Sequence, residues 1–288
     1  MSIAAVIVSK DRPAQLELLL RSWSEQVPEW PAFAVSVLWK STAPEFDRGY
    51  EVVARAFPTV FMQREDESRT FQRHILALME REAREFFHFL TDDIVFIAPF
   101  STADEPFQLL RRRPDISAVA LRMSPRINYS QPLGMRTPAP RLRHNIWTRT
   151  PLPRWVERVT RLFGIHSAWG DWFLQINFDG NVLRYPELLA HFRTLPEAGN
   201  PQLLERLFVE RPLPAPNLVC YPESKLINLA LNRVDTMSVY PSAGYSTTEF
   251  NQRFLAGERL SYKKLIGLRH NACHIEVAPE WFTPVAAR

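Results

Sequence analysis

The stretch Phe86-Phe87-His88-Phe89-Leu90-Thr91-Asp92-Asp93-Ile94-Val95-Phe96 constrains the fold more than any other part of the chain. It is apolar on both sides of two adjacent carboxylates. Burying two like charges at the end of a core strand is costly unless a cation sits beside them. The Asp pair therefore predicts a divalent-metal site at the C-terminal edge of a strand, which is where open α/β sheets bind their ligands.

The flanking sequence supplies such a sheet. Ile3 to Val8 reads as a buried strand, and Pro13 suits the first turn of a helix carrying Leu16, Leu19, Leu20, Trp23 and Val27 at helical spacing. Phe33 to Trp39 reads as a second strand. Pro44 to Phe57 reads as a helix with Tyr50, Val53, Ala54 and Phe57 on one face, and Val60 to Met62 as a short strand. Phe71, Ile75, Leu78 and Met79 mark the next helix. Strands at Phe87 to Leu90, Ile94 to Ile97 and Ile116 to Leu121 follow, with a helix near Pro106 to Arg112 among them. This alternation predicts an α/β fold with a mostly parallel central sheet and helices on both faces.

From Ser124 to Pro153 the pattern fails, and Pro, Arg and Asn dominate. A loop-rich insertion over residues 124–165 is expected. Order returns from Trp169 to Arg184. Helices are expected near Pro186 to Phe192, Pro201 to Val209, Thr247 to Ala256 and Tyr262 to Leu268, and strands at Lys225 to Leu231 and His274 to Val277. Asp179-Gly180 is also a strong turn signal, which makes a hairpin turn the alternative reading there.

Composition narrows the function. The 288 residues hold 24 Pro and only 9 Gly, and neither GxGxxG nor GxxxxGK[ST] occurs, against a classical dinucleotide fold and against a P-loop. The net charge is +4 with scattered Arg, so no basic stripe marks a nucleic-acid partner. Mild basicity suits a phosphorylated small molecule or an anionic membrane surface. Cys220 and Cys273 lack metal-ligand spacing and read as reduced thiols. The N-terminus has no signal-like pattern, and no apolar run is long enough to cross a bilayer, so a cytoplasmic location is expected, with peripheral contact at the inner face of a membrane as the variant. For that contact the candidate is the stretch with Trp147, Arg149, Arg154, Trp155, Arg158 and Arg161.

Four ordered features carry a resemblance. The opening strand ends in Ser9-Lys10-Asp11-Arg12-Pro13, the second in Trp39-Lys40-Ser41-Thr42, a helix from Thr70 precedes the strand ending in Thr91-Asp92-Asp93, and a later Asp-bearing segment is followed by His274. Together they resemble GT-A-fold glycosyltransferases, in the style of bacterial family 2-like enzymes, with Thr91-Asp92-Asp93 similar to the family's DxD motif. The resemblance covers residues 1–123 well, as the nucleotide-sugar-binding half. Residues 124–288 match loosely, as a smaller, C-terminal acceptor-side half of the same domain. It implies a Rossmann-like GT-A sheet and a metal-dependent transfer of a hexosyl-type sugar from a UDP- or GDP-linked donor to a glycan or lipid-linked acceptor, in surface polysaccharide synthesis. By position, Asp93 would hold Mn²⁺ or Mg²⁺, completed by His274, with His270 a weaker alternative. Asp92 would contact the ribose or sugar, or orient Asp93, and Ser9, Asp11, Arg12, Lys40 and Arg69 would contact the nucleotide. Thr91 stands where the motif has its first Asp.

An inverting reaction also needs a general base. Asp179 and Asp171 are the candidates, Asp171 lying between Trp169 and Trp172, with Glu187 behind them. Lys225 and Arg233 are candidates for the product diphosphate. Two other functions fit parts of the pattern: a sugar-phosphate nucleotidyltransferase, whose usual glycine-rich basic loop is missing here, and a non-catalytic carbohydrate-binding module.

Overall fold

A computed structural model describes residues 3–131, 134–137, 139–149, 170–234, 243–276 and 282–284. β1 (Ile3–Lys10) is followed by α1 (Pro13–Gln26), β2 (Ala34–Lys40), α2 (Pro44–Ala56), β3 (Phe61–Arg64), α3 (Phe71–Arg81), β4 (Phe86–Thr91) and β5 (Ile94–Phe96). Next come α4 (Glu105–Arg112), β6 (Ile116–Ala120), β7 (Tyr129–Ser130), β8 (Met135–Arg136) and β9 (Ile146–Thr148). The rest is β10 (Asp179–Arg184), α5 (Tyr185–Phe192), α6 (Pro201–Glu210), β11 (Asn217–Cys220), β12 (Leu226–Leu229), α7 (Thr247–Leu255), β13 (Glu258–Leu260), β14 (His274–Ile275) and β15 (Phe282–Pro284).

The main sheet runs β3-β2-β1-β4-β10-β6-β11-β9. β1 is parallel to β2 and β4, and β2 to β3, so their C-terminal ends share one edge. β10 is antiparallel to both β4 and β6 and separates them. This is the α/β arrangement, with a mainly parallel sheet flanked by helices, that the sequence predicts. A second sheet, β14-β12-β5, begins just after the Asp pair, and the Leu229 N–H of β12 donates to the Asp93 carbonyl at 2.7 Å.

The period-2 alternation of a strand explains why helices cover both faces. Ile3, Ala5 and Ile7 point into a core with Leu16, Leu19 and Trp23 of α1 and Val53 of α2. Ala4, Val6 and Val8 point the other way, into a core with Ile75 and Met79 of α3, Leu188 of α5 and Phe208 of α6. Every residue of β1 is apolar as far as Val8 because both faces are buried.

Three local expectations are corrected. Asp179-Gly180 opens β10 instead of turning a hairpin. Gly180 has φ 111, a conformation glycine adopts freely, and the β10–β4 register shifts between Asp179 and Val182, so the pair makes a bulge. Tyr262 to Leu268 forms only a 3₁₀ turn, Lys263–Leu265, before Gly267 at φ 69. Trp147 is buried, its Nε1 donating to the Trp172 carbonyl at 3.0 Å, and so is turned away from any membrane. Arg154, Trp155, Arg158 and Arg161 lie outside the described residues.

His88 sits at the centre of β4 with 0% exposure, against Trp23 and Phe96. Burial pushes its pKa down to about 3. The unfolded chain then binds a proton that the folded one refuses, so stability is full above about 6.5 and falls as pH drops toward 3. The slope approaches about 1.4 kcal/mol per pH unit. Urea unfolding of the native chain and of His88→Leu between pH 7 and 5 should show the native chain losing about 2 kcal/mol more than the variant. Equal losses would remove His88 from this account.

Candidate functional site

Topology gathers the site. The parallel ends of β1, β2 and β4 bring Ser9, Lys10, Lys40, Thr91, Asp92 and Asp93 to one edge. Because β10 runs the other way, its first residue, Asp179, lies beside the end of β4, opposite Leu90. Asn228 of β12 and His274 of β14 are register partners in the second sheet. Glu205 comes from α6. These groups, with Arg12, Phe71, Asn232 and Arg233 among others, line a cleft of about 450 Å³.

The cation demanded by the Asp pair is partly the protein's own. Asp92 is 3% exposed, and its Oδ1 accepts from Arg12 Nη1 at 2.8 Å. Its Oδ2 accepts from Ser9 Oγ at 2.7 Å and from the Lys10 N–H at 3.3 Å. Ser9 Oγ also meets the Tyr50 hydroxyl at 2.7 Å, and Arg12 Nη2 donates to the Asn232 carbonyl at 2.8 Å. Burial lifts the Asp92 carboxyl to about 6, with Arg12 working against the rise. Asp92 thus fixes Arg12 and the end of β1.

Asp93 is placed differently. Its side chain is 25% exposed toward the cleft. Oδ1 accepts from Thr91 Oγ1 at 2.7 Å and Asn228 Nδ2 at 3.2 Å, while Oδ2 lies 3.8 Å from Arg12 Nη1. Thr91, which stands where a carboxylate was expected from the family pattern, therefore orients Asp93.

A second network lies behind Asn228. Arg122, 1% exposed, pairs with Asp171 Oδ1 at 2.7 Å and Asp179 Oδ2 at 3.1 Å, and donates to Asn228 Oδ1 at 3.0 Å. Asn228 Nδ2 holds Asp179 Oδ1 at 3.0 Å, so both Asp179 oxygens are engaged. Burial works to raise the Asp171 carboxyl, but Arg122 and then His274 outweigh it and keep it below the usual range. Glu205 is the opposite case. Burial, then the neighbouring Asp179, raises it to about 8, while its Oε1 accepts from the Phe178 N–H at 3.1 Å.

Of the residues expected from sequence, Ser9, Arg12, Lys40, Asp92, Asp93, Asp179 and His274 line the cleft, as does Arg233. Asp11, Arg69 and Asp171 are not among its lining residues. Asp11, at φ 53, turns its carboxylate to the Thr42 N–H at 2.7 Å and Thr42 Oγ1 at 3.0 Å, tying the β1–α1 turn to the β2–α2 turn. Arg69 is exposed, and Asp171 sits beyond Arg122. Lys40 pairs with Glu65 at 3.0 Å, Lys225 lies over the Tyr221 ring at 4.5 Å, and Glu187 pairs with Arg184. Arg122, Asn228 and Glu205 escaped the sequence reading. Arg122 had a signal, since a cation closes the apolar strand Ile116 to Leu121 just as the Asp pair closes its own.

Among the described residues no group of three or more His, Cys, Asp or Glu is placed to hold an ion by itself. A hard divalent cation can still use one carboxylate oxygen when a substrate's phosphates and water supply the rest. Asp93, one carboxylate turned to the cleft, fits that role.

Fold and cleft together define an α/β protein with a polar, acid-bearing site on the C-terminal edge of its parallel strands. No family model matches the chain, and no curated protein matches it in sequence. Solved structures similar to it include the mannosyltransferase PcManGT from Pyrobaculum calidifontis in complex with GDP-Man and Mn²⁺, at 14% identity over 45% of this chain, with a TM-score of 0.35. They also include S. aureus TarS 1-349 with UDP-GlcNAc, at 13% identity over 89% of this chain and a TM-score of 0.48. The same protein with UDP gives 12% identity over 78% and a TM-score of 0.49. The chain spans 41%, 66% and 60% of these three, less than two thirds of each.

Proposed function

We propose that the chain is a glycosyltransferase that binds a nucleotide-sugar donor in the strand-edge cleft and passes the sugar to a hydroxyl of a glycan or lipid-linked acceptor. One observation carries this reading: a half-committed carboxylate, Asp93, faces a cleft that also holds the cations Lys10 and Arg12 and the carboxyl pair Asp179 and Glu205. That combination suits an anionic leaving group on one side and proton transfer on the other.

In this reading Arg12 and Lys10 face the diphosphate, and Ser9 and Asp92 hold Arg12 in place. Asp93, with His274 nearby, would hold Mn²⁺ or Mg²⁺, which supplies charge neutralisation for the departing nucleoside diphosphate. Glu205 takes the proton from the acceptor hydroxyl as its oxygen bonds to the anomeric carbon and the bond to the diphosphate breaks. Asp179 is less suited to that step, because both its oxygens are held, and Asp171 lies behind Arg122.

Titration calorimetry with UDP and GDP, each with and without Mn²⁺, tests the reading. Binding of one nucleotide is expected, tighter with Mn²⁺, and Asp93→Asn should erase the metal's contribution. Absence of nucleotide binding under every condition would remove the proposal.

A further inference from the structure

We propose that the loop 263–269, together with the β7–β8 pair, docks on an anionic lipid bilayer. Six large apolar side chains are exposed among the described residues, and three fall here: Met135 at 55%, Ile266 at 48% and Leu268 at 36%. Four cations accompany them, Arg136, Lys263, Lys264 and Arg269, all exposed. No ion pair to any described residue engages these four, whereas much of the chain's other Arg is paired with Asp or Glu.

The two segments are held side by side. The Asn128 and Tyr129 N–H groups both donate to the Asn271 carbonyl at 3.0 Å, and Tyr129 bridges to Ala272. Leu268 and Gln131 line one groove. The loop is also anchored, since the Gly267 N–H donates to the Ile97 carbonyl at 3.0 Å, and it closes on itself where the Leu268 N–H donates to the Leu265 carbonyl at 3.0 Å. Ile266 and Leu268 are thus presented on either side of Gly267 by a tethered loop. Exposed apolar side chains with Lys and Arg beside them in the chain match a bilayer interface, where the former enter the headgroup boundary and the latter meet lipid phosphates.

A groove of about 630 Å³ shares Leu268 and Arg269 with this surface and is lined also by Tyr129, Gln131 and His274 among others. His274 also lines the cleft. A bilayer at this surface would present a membrane-borne acceptor to that groove, a step that rests on the glycosyltransferase reading, although the docking itself does not.

Vesicle flotation decides it. The full chain should float with phosphatidylcholine vesicles containing phosphatidylglycerol at low salt, and stay behind with phosphatidylcholine alone. Lys263→Glu/Lys264→Glu should weaken binding by about tenfold or more, and Ile266→Ser/Leu268→Ser should weaken it as well. Failure to float with anionic vesicles, or floating of both double variants like the native chain, overturns the proposal. Nucleotide titration of the same variants should match the native chain. Vesicle binding without nucleotide binding would sink the enzymatic reading and leave the docking surface standing.

Discussion

Arg122→Met is expected to destabilise the fold by about 3–5 kcal/mol at pH 7. Methionine fills much of the same space, so the loss is mainly electrostatic. It leaves Asp171 and Asp179 facing each other's surroundings without the guanidinium that now lies 2.7 and 3.1 Å from them. The sign of the pH dependence follows. Asp171 is held below its ordinary value, so in the native chain it contributes stability above the unfolded pKa and loses it as pH falls. Without Arg122 burial loses its largest counterweight, and the folded pKa moves upward. The variant's deficit should therefore shrink toward pH 4, where Asp171 gains a proton. Urea unfolding at both pH values measures it. A deficit that is the same at pH 7 and 4 would mean that Arg122 matters only as filling. Arg122→Met/Asp171→Asn should recover part of the loss, because the two residues are in direct contact.

Glu205→Gln is expected to slow sugar transfer by about 10² to 10⁴ while leaving nucleotide binding unchanged. Glutamine keeps an oxygen for the Phe178 N–H, so the local structure has no reason to move. The pH profile separates catalysis from positioning. Glu205, raised to about 8, must lose its proton to act as a base, so the native rate should climb with pH through that region. Asp179→Asn removes the neighbouring negative charge and should move the climb to lower pH. Nucleoside diphosphate release from the donor identified by titration is the readout. Transfer at the native rate by the Glu205→Gln enzyme would exclude Glu205 from the chemistry.

The N-terminal half was readable because its strands are buried on both faces. Such strands appear as apolar runs, unbroken in Ile3 to Val8 and interrupted by His88 alone in Phe87 to Leu90, and they leave little choice of element. The Asp pair was readable for the same reason, as polarity out of place. β10 was harder to see. Its first two residues are Asp-Gly, a pair that signals a turn as strongly as anything in the chain, and only the sheet on either side turns Gly180 into a bulge. The second network was legible only in part, for another reason. Asp171 and Asp179 stand in one stretch and read as candidates, but Arg122, Asn228 and Glu205 come from three others, and no local pattern says that they meet. The 3₁₀ turn at 263–265 shows the converse, a helical spacing with too few following residues to propagate.

The interposed β10 has a consequence for dissecting the chain. Residues 1–123 contain Asp93, Arg12 and most of the parallel strands, and would look like a natural unit to express alone. Yet β4 and β6 are not neighbours; each bonds to β10. A truncation at 123 would leave a slot one strand wide through the middle of the sheet, with bare N–H and C=O groups on both sides. The strand that fills the slot is also the one that carries Asp179 to the cleft. Closing the sheet and completing the site are therefore a single event, and neither half of the chain can be made whole without the other.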